Sequence, residues 1–166
     1  HYLLGNFEGA QSDFFSNGKP KAAAFYEGYV RQVNYQEWFQ SGTVSLKIEY
    51  HGGKKHGTEV AFYADGEKAR EAFYKDDVLD GPYRESYENG QIKVKTSFID
   101  GLENGKREEF YDDGALQYTA QFLAGEIEGE EKSFYPSGKL AAKTVYKKGK
   151  PDGNVTLWYE NGALKE

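Results

Sequence analysis

Apolar and polar side chains alternate with a period of two through much of this chain. Val44, Leu46, Ile48 and Tyr50 stand two apart with Ser45, Lys47 and Glu49 between them, and Ile92, Val94 and Phe98 do the same with Thr96 interposed. That period marks strands buried on one side. No glycine-free stretch of about 11 residues shows the 3.6-residue spacing of an amphipathic helix, so the pattern predicts an all-β fold.

The alternation is interrupted on a fixed ruler. The segment Phe110-Tyr111-Asp112-Asp113-Gly114 has close copies elsewhere, and its glycine is one of Gly18, Gly42, Gly66, Gly90, Gly114, Gly138 and Gly162, each 24 residues after the last. Asn, Asp or Ser precedes each of them, and three residues before each stands Phe15, Phe39, Tyr63, Tyr87, Tyr111, Tyr135 or Tyr159. A second column holds Gly9, Gly57, Gly81, Gly105, Gly129 and Gly153; a third holds Gly5, Gly53, Gly101, Gly125 and Gly149. Glycine at fixed intervals marks positive φ or close approach of backbone, so the glycines read as structural turns. The expectation is an elongated, single-layer antiparallel meander of seven 24-residue β-hairpin units. It forms one continuous repeat array over residues 1–166, with partial units at both ends. Each unit is strand, tight turn, strand, then a looser Gly-x-x-x-Gly connection.

Register decides which columns share a face. An aromatic-x-[Asp/Asn/Ser]-Gly turn fits a three-residue hairpin loop or a two-residue type I′ turn. The three-residue form is favoured; it pairs Trp38 with Val44, Phe110 with Leu116, Phe134 with Leu140 and Trp158 with Leu164. Continued alternation then puts the Phe/Trp column on the face of Tyr26, Tyr50, Tyr74, Phe98, Phe122 and Tyr146, with Tyr2 at the start of that column. Tyr63, Tyr87, Tyr111, Tyr135 and Tyr159 go to the opposite face as a ladder with rungs about 9.6 Å apart, roughly 65 Å over the array. This ladder either braces the turns or receives a partner.

Composition narrows the function classes. The 166 residues have 38% apolar and 16% aromatic content, suiting one domain or a stack of small units. No run is long and apolar enough to span a bilayer as a helix. A net charge of -6 argues against nucleic acid and against an anionic membrane as the main partner. The absence of cysteine removes disulfides, thiol nucleophiles and zinc-thiolate sites, and leaves the compartment open. There is no methionine either, which suggests a longer gene product whose N-terminal leader or tag is removed.

The search for chemistry returns little. His51 and His56 flank a Gly-Gly-Lys-Lys link without carboxylates at ligand spacing, so no metal is expected. The Gly-Lys pairs lack a phosphate-loop pattern, and Asp112-Asp113-Gly114 lacks the alternating ligands of a calcium loop. Glu108, Glu109, Glu130 and Glu131 are expected on water-exposed strands, and no serine has a histidine in a recognisable arrangement. The chain is therefore expected to be non-enzymatic, with no catalytic residues and no cofactors.

The unit Phe62 to Gly90 resembles the MORN repeat variant of the bacterial proteins grouped as YwqK-family antitoxins, in both its aromatic-x-[Asp/Asn]-Gly turn and its Gly-x-x-x-Gly link. The chain departs from that pattern at Tyr29 to Val33, which lacks both link glycines, and at Ser86, which interrupts the Phe/Trp column. Choline-binding cell-wall repeats are also aromatic-glycine hairpin arrays, but they are richer in tryptophan and poorer in charge. The MORN resemblance implies a structural or protein-binding scaffold, of antitoxin-like type, whose protein partner is unidentified. The partner-binding candidates are Tyr63, Tyr87, Tyr111, Tyr135 and Tyr159, with edge-strand association as a further route. The alternative is carbohydrate or cell-wall binding by sugar stacking on the same tyrosines.

Overall fold

The structure, a computed structural model, describes residues 2–3, 6–7, 9–27, 30–31 and 34–165. Gly5, Tyr29 and Val33, on which part of the glycine ruler and the irregular link were read, lie outside the described residues. Every regular element is a strand, and the chain forms two compact units, His1–Asp80 and Gly81–Glu166.

In the first unit β1 (Tyr2–Leu3) pairs with β2 (Asn6–Phe7). The main sheet then runs through β3 (Gly9–Phe14), β4 (Pro20–Glu27), β5 (Val30–Arg31), β6 (Tyr35–Trp38), β7 (Val44–His51), β8 (Lys54–Phe62) and β9 (Lys68–Lys75). Pairing is antiparallel between chain neighbours, with β5 and β6 both against β4. β10 (Val78–Ser86) leads into the second unit and pairs from Gly81 onward with β11 (Ile92–Ile99). There follow β12 (Leu102–Glu103), β13 (Gly105–Phe110), β14 (Leu116–Leu123), β15 (Glu126–Ile127), β16 (Gly129–Phe134), β17 (Leu140–Lys147), β18 (Lys150–Pro151) and β19 (Thr156–Leu157). They form the same antiparallel meander.

The glycine ruler is a set of identical three-residue loops. At all seven turns the glycine N–H donates to the carbonyl of the aromatic residue three before it, as Gly114 does to Tyr111 at 3.0 Å. The aromatic N–H closes the loop on the residue after the glycine, at 2.8 Å from Tyr111 to Ala115. The residue before the glycine is Asn, Asp or Ser because its side-chain oxygen accepts the N–H two positions on. Asp113 does so for Ala115 at 2.8 Å and Asn89 for Gln91 at 3.0 Å. Gly114 has φ 86, which a residue bearing a Cβ adopts only with strain. The expected pairs Trp38–Val44, Phe110–Leu116, Phe134–Leu140 and Trp158–Leu164 all form.

Two expectations are corrected. The Gly-x-x-x-Gly connections are tight: Ile99 pairs with Leu102 and Leu123 with Glu126, leaving two-residue loops with positive φ at both positions. Asp100 (φ 49) and Gly101 (φ 80) make one such loop, and Ala124 (φ 50) and Gly125 (φ 83) another, as a type I′ turn requires.

The second correction concerns the faces. Phe110 pairs with Leu116, but Glu109 pairs with Tyr118, so Gln117 has no partner opposite it. This bulge recurs at Asp13/Phe14, Glu37/Trp38, Ala61/Phe62, Glu85/Ser86 and Ser133/Phe134. One extra residue exchanges the faces. The Phe/Trp column therefore lies opposite Tyr118, Ala120 and Phe122 instead of beside them. Alternation from Glu109 brings Tyr111 onto their face. Consistent with this, Lys47, which projects opposite to Ile48, lies 5.7 Å from the Phe62 ring.

The core of each unit is a column of small or branched residues at the 24-residue period, all buried: Ala24, Ile48 and Ala72 in the first unit and Thr96, Ala120 and Thr144 in the second, where Val94 is buried as well. The face bearing this column is called the inner face below. The other face exposes large apolar side chains, among them Phe25, Phe73 and Leu123.

Candidate interaction face

The inner face of each unit has a floor of small residues and polar walls. Directly across the ladder from the buried column stand Gln11, Glu59, Tyr83, Arg107 and Glu131, paired with Ala24, Ala72, Thr96, Ala120 and Thr144. Tyr35 holds the same place opposite Ile48. Two residues further along come Glu37, Glu85 and Glu109. A strict apolar-in, polar-out reading therefore fails, because one strand of each hairpin brings charge to the buried side.

Several of these polar groups bond one another, although Arg70 Nε is buried without a partner. Tyr35 donates to Glu37, Tyr83 to Glu85 and Tyr118 to Glu131, the last at 3.0 Å. Thr96 donates to Glu103 at 2.7 Å, and Arg107 bridges Glu109 at 2.7 Å and Glu103 at 3.1 Å. Glu59, only 2% exposed, is held by both Arg70 and Lys55. Burial alone lowers the Lys55 pKa, but the hydrogen bond and charge of Glu59 outweigh it and raise the ammonium above its ordinary value. Burial, then the bond to Glu131, raises the Tyr118 phenol well above its ordinary value; the charge of Glu131 raises Tyr146.

Of the four carboxylates expected on open strands, only Glu130 is exposed. Hydrogen bonds from Lys132 and Lys143 pull its pKa down to about 2. Glu109 and Glu131 are half-buried on the inner face, and Glu108 is held low by hydrogen bonding to Lys106, with Lys95 adding to it. Alternation alone could not place them, since the bulge sets which face each takes.

In the second unit three of the candidate tyrosines, Tyr87, Tyr111 and Tyr135, are brought together as a ladder with an internal use. The Tyr87 hydroxyl donates to the Phe110 carbonyl at 2.7 Å, Tyr111 to Phe134 at 2.8 Å and Tyr135 to Trp158 at 2.7 Å. Each tyrosine thus reaches from its own turn to the strand end of the next repeat. Tyr63 is half-buried, while Tyr159 is 54% exposed with the Lys165 ammonium 5.1 Å from its ring. His51 and His56 have ring centroids 5.9 Å apart, and His56 Nδ1 lies 3.5 Å from Asp76. Among the described residues no three His, Asp or Glu side chains stand close enough to hold a metal, and no helix is long and apolar enough to cross a membrane.

Two recesses open at equivalent places on the inner faces. One, of about 100 Å³, is lined by Gln11, Asp13, Ala22, Ala24, Tyr26 and Tyr35, together with Ala23. The other, of about 150 Å³, is lined by Tyr118, Glu131, Ser133, Ala142 and Thr144. Gln11 and Glu131, Asp13 and Ser133, Ala22 and Ala142, and Ala24 and Thr144 are the same positions of the 24-residue ruler. A wider depression of about 530 Å³ borders the link turns of the first unit, among Tyr26, Tyr50, Lys54, Lys55 and Asp77.

The repeat built this way is matched by the profile of the MORN repeat variant at residues 55–76, 79–100, 103–124 and 127–148, just over half of the chain. The chain belongs to the MORN repeat variant family. Each MORN match starts just after a type I′ link and ends inside the next, so it encloses one strand, one three-residue loop and the returning strand. Tyr63, Tyr87, Tyr111 and Tyr135 each fall within a match; Tyr159, Gly18, Gly42 and Gly162 fall outside, although their turns have the same hydrogen bonds. Comparison with curated proteins returned no match.

Proposed function

We propose that this chain is a non-enzymatic scaffold of seven MORN-type units that binds a protein partner through the inner face of its repeats. The observation that carries this reading is the recurrence of one small recess at equivalent repeat positions, around Gln11 and around Glu131. Sites for small molecules are usually single and enclose about 300–1,000 Å³. Recesses of about 100 and 150 Å³ suit individual side chains of a longer ligand. Small floor residues let that ligand approach the sheet, and the Tyr and Glu walls offer hydrogen bonds, as protein interfaces do. An antitoxin-like role, with a toxic protein as partner, is one case of this function. The tyrosine ladder supports the scaffold from within, since three of its hydroxyls are held by backbone carbonyls, and it does not favour sugar stacking, since the rings of Tyr87, Tyr111 and Tyr135 are half-buried.

The test is capture from an extract of the source organism by three immobilised forms: the parent, an inner-face variant (Tyr35→Ala with Tyr118→Ala) and an outer-face variant (Ile99→Ser with Leu123→Ser). A protein retained by the parent and the outer-face variant, but lost by a folded inner-face variant, is the expected result. Loss only from the outer-face variant would move the interface to the opposite side.

A further inference from the structure

The repeat supplies an internal comparison for the recess at Glu131. Glu59 and Glu131 occupy the same place on the ruler, three repeats apart. Around Glu59 the neighbouring positions carry Arg70 and Lys55, and both bind its carboxylate. The positions equivalent to Arg70 and Lys55 around Glu131 carry Ala142 and Ile127, so both cations are missing. Lys132 and Lys143 do not replace them, because they pair with Glu130 on the other face. Glu131 keeps the hydrogen bond from Tyr118 and has the Tyr146 phenol within reach, but no paired cation among the described residues, and beside it the cavity of about 150 Å³ is open.

A second observation points the same way. Thr144 is 6% exposed and lines this cavity, and its hydroxyl forms no hydrogen bond among the described residues. Its repeat equivalent Thr96 donates to Glu103 at 2.7 Å, but the residue in the place of Glu103 is here Pro151. Arg70 Nε is the buried side-chain atom left without a partner among the described residues, so the Thr144 hydroxyl is open to the recess, where an incoming donor can bond it. Ser133 adds another hydroxyl to the same wall.

We propose that the recess formed by Tyr118, Glu131, Ser133, Ala142 and Thr144 binds the guanidinium group of an arginine side chain presented by the protein partner. The guanidinium takes the place that Arg70 fills beside Glu59. Its N–H groups donate to the Glu131 carboxylate and to the Ser133 and Thr144 hydroxyl oxygens, a set of acceptors that suits a planar five-donor fork better than a single ammonium. The Tyr118 ring walls the site and contributes a cation–π contact. This deepens the protein-binding reading given above and rests on it for the source of the arginine.

The test needs no identified partner. N-acetyl-arginine N-methylamide is titrated into the isotopically labelled chain, with the N-acetyl-citrulline amide as a neutral probe of the same shape. The expected result is saturable shifts of the Ala142 and Thr144 methyl resonances with the arginine probe and none with citrulline. Affinity should fall at least tenfold in Glu131→Gln and in Ala142→Arg. The second variant supplies the missing cation internally, so it should also raise the unfolding midpoint, which shows that it is folded. No methyl shift in the parent, equal shifts with citrulline, or undiminished binding in a folded Glu131→Gln chain would each overturn the proposal. If the probe fails while the parent still captures a protein through its inner face, the pocket assignment falls and the scaffold function stands. If the probe binds but no protein is captured, the pocket stands and the scaffold function falls.

Discussion

The hydroxyl of Tyr111 donates to the carbonyl oxygen of Phe134 at 2.8 Å and thereby ties one turn to the strand end of the next repeat. Removing only the hydroxyl, in Tyr111→Phe, should cost about 1 kcal/mol, the net worth of one such bond plus the carbonyl left behind. Tyr111→Ser also removes a half-buried ring and should cost about 2 kcal/mol more. Chemical denaturation of the two variants measures both terms. A Tyr111→Ser chain as stable as the parent would remove the ladder from the account of stability.

Gly114 tests the turn. At φ 86, a Cβ at this position would stand 3.1 Å from Gln91 Oε1. Gly114→Val should therefore lower stability by about 1–3 kcal/mol, while Gly114→Asn should cost less because Asn tolerates the left-handed region. Thermal unfolding of the two variants should separate them, with valine the lower. Equal midpoints would contradict the loop geometry.

The Glu59–Arg70 pair makes a prediction with opposite signs. Arg70→Ala leaves a carboxylate that is 2% exposed with Lys55 alone and should cost about 2 kcal/mol, the worth of one charged hydrogen bond, because Arg70 is itself partly exposed. Replacing both partners by apolar residues of similar volume, Glu59→Leu with Arg70→Met, should recover most of that loss. Denaturant midpoints for the single and double variants decide it; a double variant worse than the single would mean that Lys55 cannot be left without its carboxylate.

Two titrations follow from the charges on either face. The Tyr118 phenol, raised by burial and by Glu131, should be among the last tyrosines to ionise in a phenolate absorbance titration, as shown by comparison with Tyr118→Phe. Because the folded value lies above the unfolded one, the stabilisation linked to this group is complete below pH 10.0 and fades as pH rises toward the folded value. For Glu130 the sign reverses. Its folded pKa of about 2 lies below the ordinary 4.5, so its contribution is present at neutral pH and fades as pH falls through that interval. Carboxyl carbon shifts should give a Glu130 midpoint near 2, and salt should move it upward because the group is exposed.

Which parts of this were legible in the sequence follows from where the information lies. The three-residue turns and their pairs were readable because Gly, the preceding Asx or Ser, and the aromatic each have a local job in one loop. The bulge was not, because the unpaired column of Lys21, Ser45, Ala69, Lys93, Gln117 and Ala141 has no common chemistry. Missing it put the tyrosine ladder on the wrong side. The type I′ links were hidden for a similar reason: Ala124 and Lys148 take positive φ without being Gly, Asn or Asp. The substitution of Ala142 for Arg70 was visible in the repeats from the start, but its meaning depends on Arg70 and Glu59 sharing a face. That follows only from the observed register, Ala61 with Arg70 and Glu59 with Ala72.

The claim that the inner face is the partner-binding face is tested most directly by site-specific photocrosslinking. A benzophenone amino acid is placed at the exposed Tyr159 of the ladder or at Leu123 on the opposite face, and the labelled chains are irradiated in an extract of the source organism. The account predicts a discrete protein adduct from position 159 and none from position 123. An adduct from 123 with none from 159 would contradict it.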